Sequence, residues 1–263
     1  MFTYNNELIL DMSHLFSAQT LVELDREIVA GLARSKNIFH SVGKELSRGD
    51  AELGLYNHAY KDVGLAEQEL EAWESESMQS MTFAEKQRYL RFAKGAYHPW
   101  AVCLALTTNS SWGHKMSATG KAVTDEARST FKRTIDVIYS LPIFESIGRV
   151  CIFGVDPSQH VTCHRDENPE KWPVNDELLM ISPRGNKKFY VYDPERQQRH
   201  YIGPDVHSYI FHDLNFHGVD PLPYFTYTIR IDGLYNEEFR SSLHCNRKAL
   251  HPKDARLTEM VKR

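Results

Sequence analysis

The segment TCHRDEN, Thr162 to Asn168, sets His164 and Asp166 one residue apart. An imidazole and a carboxylate at i and i+2 on a strand end share a face, so both can reach one ion. About fifty residues later His217 stands in LNFHGVDP, and twelve residues separate it from Arg230 in TYTIRID. His164, Asp166 and His217 form a two-histidine, one-carboxylate set. That donor chemistry suits Fe(II) and leaves positions open for O2 and a chelating co-substrate. Arg230 carries a planar fork that matches a carboxylate in a bidentate way. Thr228, on the same face of its strand, offers a hydroxyl to that carboxylate.

Each residue also has a plainer reading. The chain holds thirteen histidines, which makes chance matches easy. His160 and His164 would face together on a helix, as in zinc motifs. However, DPSQHVTCHRD has no helical pattern and lacks the glutamate of HExxH. His212 competes with His217 for the third position. We favour His217, because Gly218 beside it permits close backbone approach. Arg230 has a structural alternative, an ion pair with Asp232 or Asp220. Arg165, between two ligand candidates, points either toward a substrate or outward to solvent. Trp112 and His114 lie in the Ser-, Thr- and Gly-rich stretch 107–121, which reads as a loop long enough to fold over a site.

Two kinds of element must position these side chains. Up to about residue 145 the pattern is helical. Ser17 caps a helix whose Leu21, Leu24, Ile28 and Leu32 share a face. Thr82 and Glu85 form a capping box, and a further helix is predicted from Asp125 to about Ser140, ahead of Pro142. From Gly148 the chain turns to short segments rich in Val, Ile, Tyr and Phe: RVCIFGV, ELLMIS, KKFYVYD, RHYIG, HSYIFHD and FTYTIRID. Turn residues separate them, RGNKK reads as a hairpin, and no helix intervenes, which predicts an antiparallel sandwich or barrel. The tail after Gly233 is polar and ends basic.

Bulk properties narrow the function classes. The 263 residues carry a net charge of only −4, and no run of like charges is long enough for a nucleic-acid arm. No stretch approaches the ~18 apolar residues of a membrane span. MFTYNNELILDMSH lacks the basic and apolar regions of a signal peptide. Cys103, Cys151, Cys163 and Cys245 form no CxxC pair. We therefore expect a cytoplasmic protein with reduced thiols, no nucleic-acid partner and no membrane partner.

In its ordered set His164, Asp166, His217 and Arg230, the chain resembles the Fe(II)/2-oxoglutarate-dependent oxygenase superfamily from about Arg149 to Gly233. The resemblance implies an α+β fold. Its core is a double-stranded β-helix (a cupin-like jelly roll) over 146–235, with a mainly helical region, 1–145, packed on it and a tail at 236–263. It implies that His164, Asp166 and His217 hold Fe(II), and that Arg230, with Thr228 beside it, takes the distal carboxylate of 2-oxoglutarate. O2 is the oxidant; succinate and CO2 are the co-products. Related halogenases carry a small residue where Asp166 stands, so hydroxylation is the expected reaction. The expected substrate is a small molecule, such as an amino acid, its derivative or a biosynthetic intermediate, with Arg165 a candidate contact. A peptide hydroxylase, or a cupin-like metal-binding protein without oxygenase activity, stays open.

Overall fold

The computed structural model describes residues 1–35, 102–108, 114–155, 160–166, 176–185 and 187–247; of Val102, Cys103, Thr162, His164 and Arg247 it describes the backbone alone. The capping box at Thr82 and the tryptophan at 112 lie outside these residues.

Twelve strands are present among the described residues: β1 (Phe2–Tyr4), β2 (Ile9–Asp11), β3 (Val102–Ala105), β4 (Phe144–Val155), β5 (Val161–His164), β6 (Leu178–Ile181), β7 (Phe189–Asp193), β8 (Gln198–Tyr201), β9 (Ser208–Phe211), β10 (His217–Val219), β11 (Thr226–Tyr235) and β12 (Cys245–Arg247). A six-stranded sheet has the order β2-β9-β6-β11-β4-β3, and a four-stranded sheet the order β5-β10-β7-β8. All their pairings are antiparallel. From β4 onward the chain passes repeatedly between these sheets: β4, β6, β9 and β11 belong to the larger, and β5, β7, β8 and β10 to the smaller.

The larger sheet is covered on both faces, and strand alternation sorts its side chains. On β11, Tyr227, Ile229 and Ile231 join an apolar cluster with Leu24, Ile28 and Leu32 of the first helix. Thr226, Thr228, Arg230 and Asp232 occupy the alternate positions, all buried. That second face meets the smaller sheet, where Leu178, Met180, Tyr209 and Phe211 pack with Phe189, Val191 and Val219. A strand with polar residues along one buried face is costly unless each is paired. These four residues therefore mark the side where chemistry is built.

Three helices back the larger sheet: α1 (Ala18–Arg34), α2 (Asp125–Thr130) and α3 (Lys132–Tyr139). In α1, Ser17 Oγ accepts from the Thr20 amide at 3.0 Å, and the four leucine and isoleucine positions expected to share a face are all buried. The single helix expected from Asp125 to Ser140 is instead two, because Phe131 leaves helical geometry (φ −124°, ψ 37°) to insert its ring, fully buried, over Gly31 of α1. Helix α3 therefore lacks a side-chain cap of its own. Glu27 of α1 supplies one, accepting from the Arg133 amide at 2.8 Å and the Thr134 amide at 2.6 Å.

Other differences from the sequence reading concern connections. Among the described residues, the first 145 also contribute β1, β2 and β3, which the sequence reading did not expect. Segments this short hold together only by pairing with partners distant in sequence, which periodicity cannot reveal. RGNKK does not close a hairpin: it carries the chain from β6 in one sheet to β7 in the other. The turn chemistry is real, with Gly185 at φ +63°, but turn residues reverse a chain without choosing its next partner. The tail forms α4 (Glu237–Ser242) and then β12, which pairs with β1.

Candidate metal and co-substrate site

The site begins on the short central strand of the smaller sheet. In antiparallel register His217 stands directly across from His164 of β5 on one side and Val191 of β7 on the other. Directly opposed residues share a face, and Val191 belongs to the cluster between the sheets. His217 lies there too, against the rings of Phe211 (4.8 Å between centroids) and Phe189 (5.9 Å). Its Nδ1 is 2.9 Å from the Asn215 carbonyl. That carbonyl can only accept, so the proton sits on Nδ1 and Nε2 is the lone-pair nitrogen of the ring, the one that could ligate a metal. Nε2 lies 3.5 Å from Oδ1 of Asp166, which follows β5.

Asn215 is itself held from the far end of the chain. It exchanges two hydrogen bonds of 2.8 Å with the Phe2 backbone on β1. The competing histidine, His212, stacks on the Phe2 ring at 4.0 Å and 13° and sits near Tyr4. Burial, aided by the chain's terminal ammonium, lowers its pKa to about 4. His212 thus packs as a neutral ring beneath the N-terminal strand. His160 is exposed, and the strand that follows it rules out the helical His160–His164 pair.

Around Asp166 lies a dense ionic network. Arg230 Nη1 donates to Asp166 Oδ2 at 2.9 Å, and its Nε donates to Asp232 Oδ1 at 2.8 Å. Asp232 is also held by the fully buried Arg149 at 2.7 Å. The carboxylates of Asp166, Asp176 and Asp213 come within 4.8 Å of one another. Lys115 pairs with Asp176 and lies 3.6 Å from each of the other two. Burial and the hydrogen bond it donates to Asp176 push Asp213 well above the ordinary carboxylate range. Burial also favours a neutral Asp176, but the hydrogen bonds of Asp213 and Lys115 outweigh it and hold Asp176 low. One proton shared by the pair explains both directions.

Farther along the same face of β11, Thr228 accepts a 2.7 Å hydrogen bond from Lys187 Nζ. Burial alone lowers the lysine to about 7. The buried Tyr209 hydroxyl adjoins Thr228 without completing a hydrogen bond of ordinary geometry. Arg165 turns away from this interior: its guanidinium lies over the Phe216 ring at 5.0 Å, beside Tyr192 and Leu214. His114 is exposed.

The structure thus brings Asp166, His217 and Arg230 together, with the backbone of His164 opposite His217. It sets Thr228 deeper and Arg165 to one side. Sequence reasoning overlooked Lys115, Asp176, Lys187 and Asp213. Only Asp213 had a visible signal, an acid ending an apolar strand. The other three lie in or beside segments whose polar composition reads as loop.

No family model matches the chain, and no curated protein matches it. Among solved structures, the chain is similar to a 2OG-Fe(II) oxygenase family oxidoreductase from Burkholderia pseudomallei, at 10% identity over 50% of this chain and 66% of that one, with a TM-score of 0.33. It is also similar to the viral collagen prolyl hydroxylase of Paramecium Bursaria Chlorella virus-1, solved as a 2OG complex. There the identity is 8% over 87% of this chain and 96% of that one, with a TM-score of 0.34. A third is a prolyl hydroxylase from Trichoplax adhaerens in complex with a hypoxia inducible factor peptide fragment, at 13% identity over 85% of this chain and 94% of that one, with a TM-score of 0.31.

Proposed function

We propose that this protein is an Fe(II)/2-oxoglutarate-dependent dioxygenase that hydroxylates an unactivated C–H bond of a small molecule. One observation carries the reading. His217, whose Nδ1 contact to Asn215 makes Nε2 the lone-pair nitrogen, meets Asp166 at 3.5 Å and stands in register with His164. The donor set fits Fe(II), with two imidazoles and one carboxylate arriving from adjacent strands. The alternation of antiparallel strands between the two sheets supports reading residues 146–235 as a double-stranded β-helix core.

Bound iron would supply O2 activation coupled to oxidative decarboxylation of 2-oxoglutarate to succinate and CO2. The protein contributes position and dryness. His164, Asp166 and His217 would hold the metal, and Arg230 fixes one oxygen of Asp166, leaving the other to face His217. Phe189 and Phe211 exclude water from the ring of His217. The side chains of Asp166 and His217 are only 9% and 7% exposed, which favours a small molecule over a peptide lying in an open groove. We place the protein in the cytoplasm on the sequence grounds given above.

The test is release of CO2 from carboxyl-labelled 2-oxoglutarate with Fe(II) and ascorbate across an amino-acid and amino-acid-derivative panel. Wild-type turnover and its loss in His164→Ala, Asp166→Ala and His217→Ala are expected. Tight zinc binding after anaerobic purification, with no spectral response to Fe(II) plus 2-oxoglutarate, would overturn the reading in favour of a cupin-like binding protein.

A further inference from the structure

We infer that Asn215 is a positioning residue for the candidate metal site, tying the carbonyl that orients His217 to the N-terminal strand β1. Through it β1, 213 residues away in sequence, helps to set metal affinity. The inference rests on the reading of His164, Asp166 and His217 as metal ligands.

One segment, HDLNFH from His212 to His217, reaches two of the three ligand candidates. The Asp213 carbonyl accepts from the Asp166 amide at 3.1 Å. The Asn215 carbonyl faces Nδ1 of His217 at 2.9 Å. A shift of this segment would therefore displace a carboxylate and an imidazole together. The segment joins β9 to β10, and connections are ordinarily the more mobile parts of a fold. Its carbonyls can orient ligands only if something holds it still.

The side chain of Asn215 does this. The Phe2 amide donates to Asn215 Oδ1 at 2.8 Å, and Asn215 Nδ2 donates to the Phe2 carbonyl at 2.8 Å. A carboxamide facing the N–H and the C=O of one residue has a single orientation that satisfies both. It behaves as a peptide unit in a strand pairing, docking the segment against β1. Phe2 and Asn215 are 6% and 4% exposed, so water does not compete for these bonds. The Phe2 ring also stacks on His212, at the start of the same segment. Strand β1 is braced in turn by β12, with Phe2 opposite Arg247 and Tyr4 opposite Cys245. A two-stranded sheet is marginal by itself, and this one gains its footing on the segment that orients the ligands.

The test uses Co(II), titrated by calorimetry and visible absorption, together with 15N NMR of the His217 ring in the metal-free protein. Wild type should bind Co(II) and carry the His217 proton on Nδ1. Asn215→Ala should weaken Co(II) binding about tenfold and mix the two ring tautomers. The second pair of variants attacks from β1. Phe2→Pro and Phe2→Ala both lose the ring, but only proline lacks the amide that donates to Asn215. Phe2→Pro should therefore bind Co(II) several-fold more weakly than Phe2→Ala. Gly31→Ala, on the helix that packs against the other face of the larger sheet, serves as the stability control: it should melt lower and bind Co(II) normally. Unchanged affinity and tautomer in Asn215→Ala, or equal binding by the two Phe2 variants, overturns the inference and leaves the metal site standing. So does an equal loss in Gly31→Ala. Co(II) binding that is absent in wild type, or indifferent to His217→Ala, overturns the metal-site reading itself.

Discussion

At the scale of single residues, the two histidines five positions apart do different work because of what touches their ring nitrogens. Asn215 O fixes the tautomer of His217, whereas His212 accepts from the Leu214 amide through Nδ1 at 3.4 Å and is flattened against Phe2. His212 also ties stability to pH. Its folded pKa is lowered by burial to about 4, from an ordinary 6.5. Between those values the unfolded chain holds the extra proton, so stability rises with pH through that window and is lost as pH falls from 6.5 toward 4. His212→Phe should flatten this slope by up to about 1.4 kcal/mol per pH unit. Denaturant melts at pH 4.5, 5.5 and 6.5 check it; an unchanged slope means that another group carries the acid sensitivity.

At the scale of elements, α1 shows local preference and packing in conflict. Alanine is the better helix former by about 1 kcal/mol, so Gly31 looks improvable from the sequence. A Cβ at Gly31, however, would collide with the fully buried Phe131 ring, and Phe131 is the residue that breaks α2 from α3. Gly31→Ala is therefore expected to destabilise the fold by about 1–3 kcal/mol, as overpacking does. Adding Phe131→Leu should recover part of that loss. Chemical denaturation of the single and double variants measures both. A stabilised single variant would show that the helix pair tolerates separation.

Viewed as a whole, the molecule buries the amine of Lys187 between two sheets with no carboxylate to meet it among the described residues. Lys187 is lowered from its ordinary 10.5 to about 7 by burial. Between these values the unfolded state carries the proton and the folded state does not, so without ligand the stability contributed by this group rises with pH from about 7 to 10.5. Melting curves across that range should show the rise in wild type and lose it in Lys187→Met.

The sequence alone determined the elements whose signals are local. Ser17 capped a helix with one buried face, and six apolar segments after Gly148 became strands, because caps and alternation act over a few residues. The spacing of His164, Asp166 and His217 was legible as candidate chemistry by residue type. Tertiary structure decided the rest. The strands that carry His164 and His217, VTCH and HGV, are too short and polar to announce themselves, and exist by pairing with each other and β7. The crossing at RGNKK, the cap lent by Glu27, and Lys187 beneath Thr228 depend on neighbours far away in sequence. No local pattern encodes such contacts, because the burial that makes them favourable arises only once both sheets have closed.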